Sequence, residues 1–345
     1  MISVVKTLNF FVLTFSLLLA GCFFNKADEQ KIHELQGNVF GAYYIIKYRG
    51  ELEPQKFKGE LDHFFLEFNR EFSTYQTDSV ISEFNRTTSD SPLKVSSRFI
   101  EMIKLAQKFH AQTEGAFDPT LGPVIKLWGF GGGAKKSIPP EAELAKARSL
   151  VGFNLIKWDE EKQLIWKTKT GVQLDINAFA PGWVCDLIGP MLSAHGIEHF
   201  MIDMSGEILF KGAKGESSPW IAGVEKPSPN RAEGIQQAFK MRDLAIATSG
   251  NYRQFFNAEN ERKSHIIDPR TGKPVTHSIS SASVIASNGA SADVWSTAMM
   301  VLGPSGIDLA EKNGIKVLLL DAKNPELFEE IVSPSWGLFT QDQRL

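Results

Sequence analysis

The stretch Ser264-His265-Ile266-Ile267-Asp268-Pro269-Arg270-Thr271-Gly272-Lys273-Pro274 gathers a histidine, an aspartate and an arginine around a turn set by Pro269 and Gly272. An imidazole can move protons near neutral pH, and a guanidinium can stabilise phosphate oxygens. A hairpin turn with charged decoration has the same composition, so the stretch alone leaves both readings open. In Ala292-Asp293-Val294-Trp295-Ser296-Thr297-Ala298-Met299-Met300, a helix puts Asp293 and Thr297 on one face, four residues apart. A carboxylate and a hydroxyl so placed can hold a hard cation such as Mg²⁺, which prefers oxygen ligands. An aspartate at a helix start favouring the dipole, with a threonine bonded to its own backbone, looks the same in sequence.

Two further stretches are of this kind. Leu174-Asp175-Ile176-Asn177-Ala178-Phe179-Ala180-Pro181-Gly182-Trp183 reads as a strand, a tight turn and a helix start whose small residues suit close approach by phosphate. It is equally a plain strand-to-helix connection. Gly115-Ala116-Phe117-Asp118-Pro119-Thr120-Leu121-Gly122-Pro123 is a compact loop, and a structural turn would share its residues. The chain has no P-loop, no dinucleotide fingerprint, no HExxH and no GxSxG.

The elements that must position these residues are a mixture of strands and helices. Gly37 to Tyr48 is rich in aromatic and β-branched residues and reads as a strand. Phe57, Leu61, Phe64, Phe65 and Phe68 recur at helical spacing, and Ser96 or Ser97 can cap a second helix running to about Gln112. A loop is expected at Gly131-Gly132-Gly133, a short helix after Pro140, and a hairpin from 155–158 and 164–166. Strands are expected at 172–176, 199–203, 207–211, 219–224, 244–249 and 279–286, with helices at about 182–195, 292–302 and 306–313. The fold class is α+β with substantial antiparallel sheet. There is no internal repeat, and no Pro-rich linker divides the chain.

Composition limits the function classes. The chain has 345 residues, 43% hydrophobic and 22% charged, which is ample for a core and excludes wholesale disorder. A net charge of -3 gives no electrostatic case for nucleic acid as partner. Two cysteines allow at most one disulfide and cannot build a zinc site made only of cysteines, while the seven histidines are too scattered to read as a metal cluster. Lys6 precedes an apolar run, Leu8 to Ala20, that is too short to span a bilayer needing about 20 helical residues. This pattern describes a secretory signal, and Leu19-Ala20-Gly21-Cys22 resembles a bacterial lipobox. An ordinary signal peptide containing a cysteine, or a buried N-terminal helix, are the alternatives. The lipobox reading makes residues 1–21 a leader, Cys22 the lipidated N-terminus and 22–36 a polar tether, with one domain over 37–340. Cys185 is then a lone thiol, expected to be buried packing.

Taken in order, these segments resemble the ApbE family of bacterial flavin transferases, which move FMN from FAD to a protein hydroxyl. The similarity runs from about Gly37 to Gly303. Its places are Phe40-Gly41-Ala42; Phe72-Ser73-Thr74-Tyr75 with Asp78-Ser79; Gly115 to Pro123 with Trp128-Gly129-Phe130-Gly131; Leu174 to Asp186; and Ala247-Thr248-Ser249-Gly250 through Thr297. The resemblance implies a single catalytic domain related to the T-fold and Mg²⁺ as cofactor. The metal would be held by the Asp293 carboxylate, the Thr297 hydroxyl and backbone oxygens of Ala178 and Ser296. It implies FAD contacts at Phe40, Tyr75, Ala116, Phe117, Asp118, Asp175, Pro181, Ile266 and Ile267, and a catalytic role for His265. Implied partners are extracytoplasmic segments of flavin-carrying redox proteins, such as subunits of a Na⁺-pumping NADH:quinone reductase or related electron-transport complexes. The implied location is the extracytoplasmic side of a bacterial membrane, through the lipid at Cys22. Two departures stand out. Many members carry Ile-Ala-Lys-Gly-Tyr where this chain has Phe179-Ala180-Pro181-Gly182-Trp183, and Pro181 cannot neutralise phosphate charge as lysine can. Met204-Ser205-Gly206-Glu207 replaces a commoner Leu-Gly-Gly-Asp. An FAD pyrophosphatase using water as acceptor and a non-enzymatic FAD-binding lipoprotein share the same motifs and stay open at this stage.

Overall fold

The computed structural model describes residues 31–130, 137–215, 218–227, 234–251, 255–258, 261–324 and 327–345. The expected leader, Cys22 and the glycine run 131–133 lie outside these residues.

The central sheet has eight antiparallel strands whose order across the sheet is their order along the chain. They are β1 (Ile32–Val39), β2 (Ala42–Arg49), β3 (His199–Met204), β4 (Glu207–Lys211), β5 (Leu244–Gly250), β6 (Ile279–Ala286), β7 (Lys316–Asn324) and β8 (Leu327–Val332). A long insertion between β2 and β3 carries helices α1 (Pro54–Phe72) and α2 (Ser97–Gln112), and α3 (Ala180–Ala194) leads back to the sheet. Helix α4 (Gly289–Leu302) follows β6. The α+β, largely antiparallel class read from the sequence is the class observed.

Local chemistry explains the helices that frame the cleft. Proline at the start of α1 supplies a φ suited to the first turn, and Phe57, Leu61, Phe64, Phe65, Phe68 and Phe72 bury one face. The Ser96 hydroxyl caps α2 by accepting the Phe99 N–H at 3.0 Å. Asn288 caps α4 by accepting the Ser291 N–H at 2.8 Å. The insertion is stitched to α3 through aromatic rings: Phe68 lies 5.6 Å from Trp183, and Phe117 lies 5.7 Å from Phe179. On the sheet, α4 packs Ala292, Trp295, Ala298 and Met299 against Ala245, Ala247, Ala282 and Val284. The opposite face is covered by a hairpin of strands Trp220–Glu225 and Ile235–Met241 and by the helix Pro334–Gln343, where Trp336 meets Phe239 edge-on at 5.4 Å.

Four expectations need correction. The strand read over 37–48 is two strands, because Phe40 and Gly41 both take positive φ (57° and 78°) and turn the chain back on itself. The tether read to Gln36 is strand from Ile32 onward, with Leu35 buried and His33 stacked on Tyr48. Residues 172–176 join no ladder. Their backbone groups are met otherwise, by Asn85 on both the N–H and C=O of Leu174 and by Pro119 O accepting the Asp175 N–H at 2.7 Å. Strands β7 and β8 and the helix Pro334–Gln343 were not anticipated. Among the described residues, no helix is long and apolar enough to cross a membrane.

One buried lysine ties residues 84–85 to residue 172. Lys167 is fully buried, and its ammonium donates to the carbonyls of Phe84, Asn85 and Val172 at 2.9, 3.0 and 2.8 Å. Burial pushes it down to about 8, and no carboxylate offsets that cost. Lys167→Met would leave the Asn85 and Val172 carbonyls without this partner, while Phe84 O keeps Thr87, at an expected cost of about 2–4 kcal/mol. Urea unfolding with an unchanged slope would show this as a lower midpoint; a midpoint equal to that of the natural protein would contradict the role.

Candidate active site

Two cavities open on the same cleft and meet at one residue. The first, about 290 Å³, lies between the β1–β2 turn, the end of α1 and the start of α3, and is bordered by Phe40, Tyr75, Asn177, Pro181 and Glu207. The second, about 470 Å³, is bordered by Ala116, Phe117, Asp118, Asp175, Asn177, Ala178, His265, Ile266, Ile267 and Thr297. Among the described lining residues, Asn177 alone borders both. Volumes of this size suit a cofactor-sized ligand.

The structure therefore brings together nearly every residue singled out in the sequence, from segments far apart in the chain. Phe40 and Tyr75 stand at the first cavity, Tyr75 with 82% of its surface exposed. Phe40 is held over Phe65 and Phe68 at 5.5 and 5.3 Å. A phenylalanine at positive φ is unusual, and here it places a ring on the rim of a cavity. Pro181 sits in the first turn of α3, where its missing N–H costs nothing.

In the second cavity the 115–123 loop is fixed by Asp118. One carboxylate oxygen accepts the Thr120 N–H at 2.8 Å and its hydroxyl at 2.5 Å, and the other lies 3.5 Å from His110. The Asp175 carboxylate accepts the Asn177 N–H at 2.9 Å, and burial raises its pKa. His265 reaches the cavity wall with its ring 6.3 Å from that of Phe130. Arg270 is not in either cavity. Its guanidinium forks onto Asp268, with Nε and Nη2 each at 2.9 Å from a carboxylate oxygen. The charged turn thus divides: the histidine belongs to the cleft, and the arginine braces the turn, which Trp128 also holds through its N–H to Gly272 O at 2.8 Å.

The candidate metal residues lie behind and beside that cavity. Thr297 and Ala178 are on its wall, and Asp293 is one helical turn from Thr297, 5% exposed, and not at the start of α4. Ser249 on β5 joins them, its hydroxyl 2.7 Å from Ser296 Oγ and 3.2 Å from Thr297 Oγ1. Asp293 Oδ2 accepts the Gly182 N–H at 3.0 Å, and Asp186 accepts the N–H groups of Gly289 and Ala290 at 2.6 and 2.8 Å. Burial, then Glu207, then Asp186 push the Asp293 carboxyl well above the usual carboxylate range. Glu207 is itself raised to about 7 by burial and by Asp203, and Asp186 to about 6 by burial. No lysine or arginine is among the described residues lining either cavity.

A buried group of carboxylates without a side-chain cation fits a bound metal ion, which would supply the missing positive charge. Among the described residues no three or more His, Cys, Asp or Glu converge as ligands. A cation here would rest on one carboxylate, Asp293, with the Thr297 hydroxyl and the Ala178 carbonyl, an all-oxygen set that suits Mg²⁺. Ser296 fits less well. It lies inside α4, where its carbonyl serves the helix ladder, and its hydroxyl donates to Asp293 O at 2.8 Å. Cys185 is buried, with its thiol pushed up by burial and by the surrounding carboxylates, and packs against Glu207 O at 3.4 Å as an inert side chain.

Sequence reasoning missed Asn177 as a site residue, together with Ser249 and Glu207. All three fall inside motifs noted above, but only the folded cleft distinguishes them from their neighbours.

Known proteins resemble this chain over most of its length. The model of the ApbE family matches residues 40–319. An FAD:protein FMN transferase of Vibrio cholerae is 37% identical over 328 residues, covering 94% of this chain and 96% of the relative. Another from Haemophilus influenzae is 32% identical over 314 residues, covering 88% and 90%. The solved structure of the flavin transferase ApbE from Vibrio cholerae superposes with a TM-score of 0.79 at 34% identity, over 90% of this chain and 99% of that one. The Pseudomonas stutzeri flavinyl transferase ApbE gives 0.83 at 29% identity, over 90% and 97%.

Proposed function

The chain belongs to the ApbE family, and we infer that, as an FAD:protein FMN transferase, it joins FMN to a threonine or serine hydroxyl of a target flavoprotein and releases AMP. The observation that carries this is the pair of cavities meeting at Asn177, with His265, Thr297 and Ala178 together on the wall of one of them. FAD has a ring system at each end and a diphosphate between, and two cavities sharing one border match that outline.

In the reaction the acceptor oxygen forms a bond to the FMN phosphorus. The bridging P–O bond breaks, and its electron pair leaves with AMP. The hydroxyl proton must be taken up as the bond forms, and His265 is the imidazole positioned on the cavity wall to take it. Residues 116–118 and 266–267 border the bound nucleotide and keep it in register with the acceptor. Mg²⁺ held by Asp293, Thr297 and Ala178 would neutralise charge on the phosphates during transfer. The acceptors are segments of extracytoplasmic redox proteins, reached by an enzyme tethered through lipidated Cys22. The support for that location is the lipobox-like sequence Leu19-Ala20-Gly21-Cys22.

His265→Ala should bind FAD as the natural protein does and lose about 10²–10⁴-fold in transfer rate. Undiminished transfer would remove His265 from the chemistry. Chromatography of AMP tests the reaction type. A transferase releases AMP when an acceptor is present and far less without one, whereas equal AMP in both cases would make the protein a pyrophosphatase.

A further inference from the structure

We infer that Asn177 positions the diphosphate bridge of FAD, its carboxamide N–H donating to a phosphate oxygen where the two cavities meet. The inference rests on FAD as the substrate and goes beyond it, to one named residue of this chain.

FAD carries its negative charge in the middle of the molecule. If its two ring ends occupy the two cavities, the diphosphate passes the residue that borders both, and among the described residues that is Asn177. The backbone there is fixed. The Asn177 N–H donates to Asp175 Oδ1 at 2.9 Å, and the Asp175 N–H donates to Pro119 O at 2.7 Å, tying this turn to the 115–123 loop. The side chain is exposed and makes no hydrogen bond with any described residue. A carboxamide offers two N–H donors and carries no charge.

The cationic side chains and the first backbone donors of α3 are not available in its place. Neither cavity has a described lysine or arginine on its wall, and Arg270 is held by Asp268. Pro181 has no N–H, the Gly182 N–H goes to Asp293, and the Ala180 N–H goes to Ile176 O. Asp175, Asp118 and Glu207 line the cavities with carboxylates that an anion avoids. A neutral donor at the junction therefore adds to what a bound Mg²⁺ would supply, and matters more here than in a cleft walled by lysine or arginine. Hydrogen bonds to charged oxygens are the strong ones.

The test is equilibrium binding of FAD and of riboflavin, which lacks the diphosphate, to the natural protein and to Asn177→Ala, Asn177→Asp and Asn177→Lys, with Mg²⁺ present. Asn177→Ala should raise the FAD Kd about tenfold, and Asn177→Asp should raise it further by repelling the phosphates. Asn177→Lys should bind FAD at least as tightly as the natural protein. Riboflavin binding and the thermal midpoint should be unchanged in all three, because the turn depends on the backbone N–H at 177 and not on its side chain. The KM for FAD should follow the Kd in the alanine variant. Equal FAD affinity in the natural protein and the aspartate variant would overturn the inference while leaving the substrate intact. An equal loss of riboflavin affinity would also overturn it, by showing a disturbed loop in place of a lost phosphate contact. A natural protein that does not bind FAD at all would overturn the substrate itself.

Discussion

Asp293→Asn should reduce FMN transfer by at least about 10³-fold and should leave the protein as stable as before, or more so, in metal-free buffer. The two halves of this expectation have one cause. Asp293 is a buried carboxylate beside Glu207 and Asp186, and no side-chain cation on the cavity walls balances it. Burying such charge is costly, so it opposes folding until a cation binds. Asparagine removes the charge and still offers an oxygen to the Gly182 N–H, which now lies 3.0 Å from Oδ2. A group that costs stability in the free protein is retained for what it does in the loaded one. The natural protein should gain thermal stability as Mg²⁺ is added, following mass action, and the variant should gain almost none. Two results would contradict the assignment: transfer that survives in chelator, or a Mg²⁺-dependent rise in midpoint that is the same in both proteins. Substitution at Thr297 tests the second proposed ligand in the same way, although losing its hydrogen bond with Ser249 at 3.2 Å adds a cost of its own.

Gly182→Ala should cost about 3 kcal/mol or more and abolish transfer. Here α3 and α4 touch backbone to backbone. A Cβ on Gly182 would collide with the Gly289 carbonyl and come within 2.7 Å of Asp293 Cβ, and one on Gly289 would collide with the Gly182 carbonyl. The obstructing atoms are mainly main chain, so relief requires the two helix starts to separate. The same movement breaks the Gly182 N–H bond to Asp293 and strains the two bonds from Asp186 to the start of α4. Gly59→Ala is the matched control. Gly59 lies in α1 with nothing near its missing Cβ, so alanine should be neutral or stabilise by about 0.5–1 kcal/mol. Thermal unfolding of both variants, beside transfer rates, checks the pair. If Gly182→Ala retained the natural midpoint, the close approach would not be a constraint.

Much of this was legible in the chain where local chemistry decides structure. Helix α2 begins and ends where the sequence places it, because Ser96 caps it and Phe99, Ile103 and Ala106 fix its buried face. Strands β4 and β6 also match their expected bounds. The sequence was less informative where tertiary contacts replace local rules. A strand-like run breaks at Phe40 because an aromatic residue adopts positive φ above Phe65 and Phe68. The segment before Asp175 satisfies its backbone through Asn85 and Pro119 and so joins no sheet. At the site, residue types and order pointed to His265, Asp293 and Thr297. Position within the cleft was invisible. No periodicity tells that Arg270 turns onto Asp268, that Asp293 lies behind the wall that Thr297 lines, or that Asn177 borders both cavities.

The most direct measurement is to incubate the protein with FAD, Mg²⁺ and a candidate acceptor carrying a threonine or serine target, then to separate the products on a denaturing gel and record flavin fluorescence. The expected result is a fluorescent acceptor band that requires Mg²⁺, is absent with Asp293→Asn, and disappears when the target hydroxyl is replaced by alanine. Free FMN and AMP with no labelled protein, or FAD recovered bound and intact, would contradict the account.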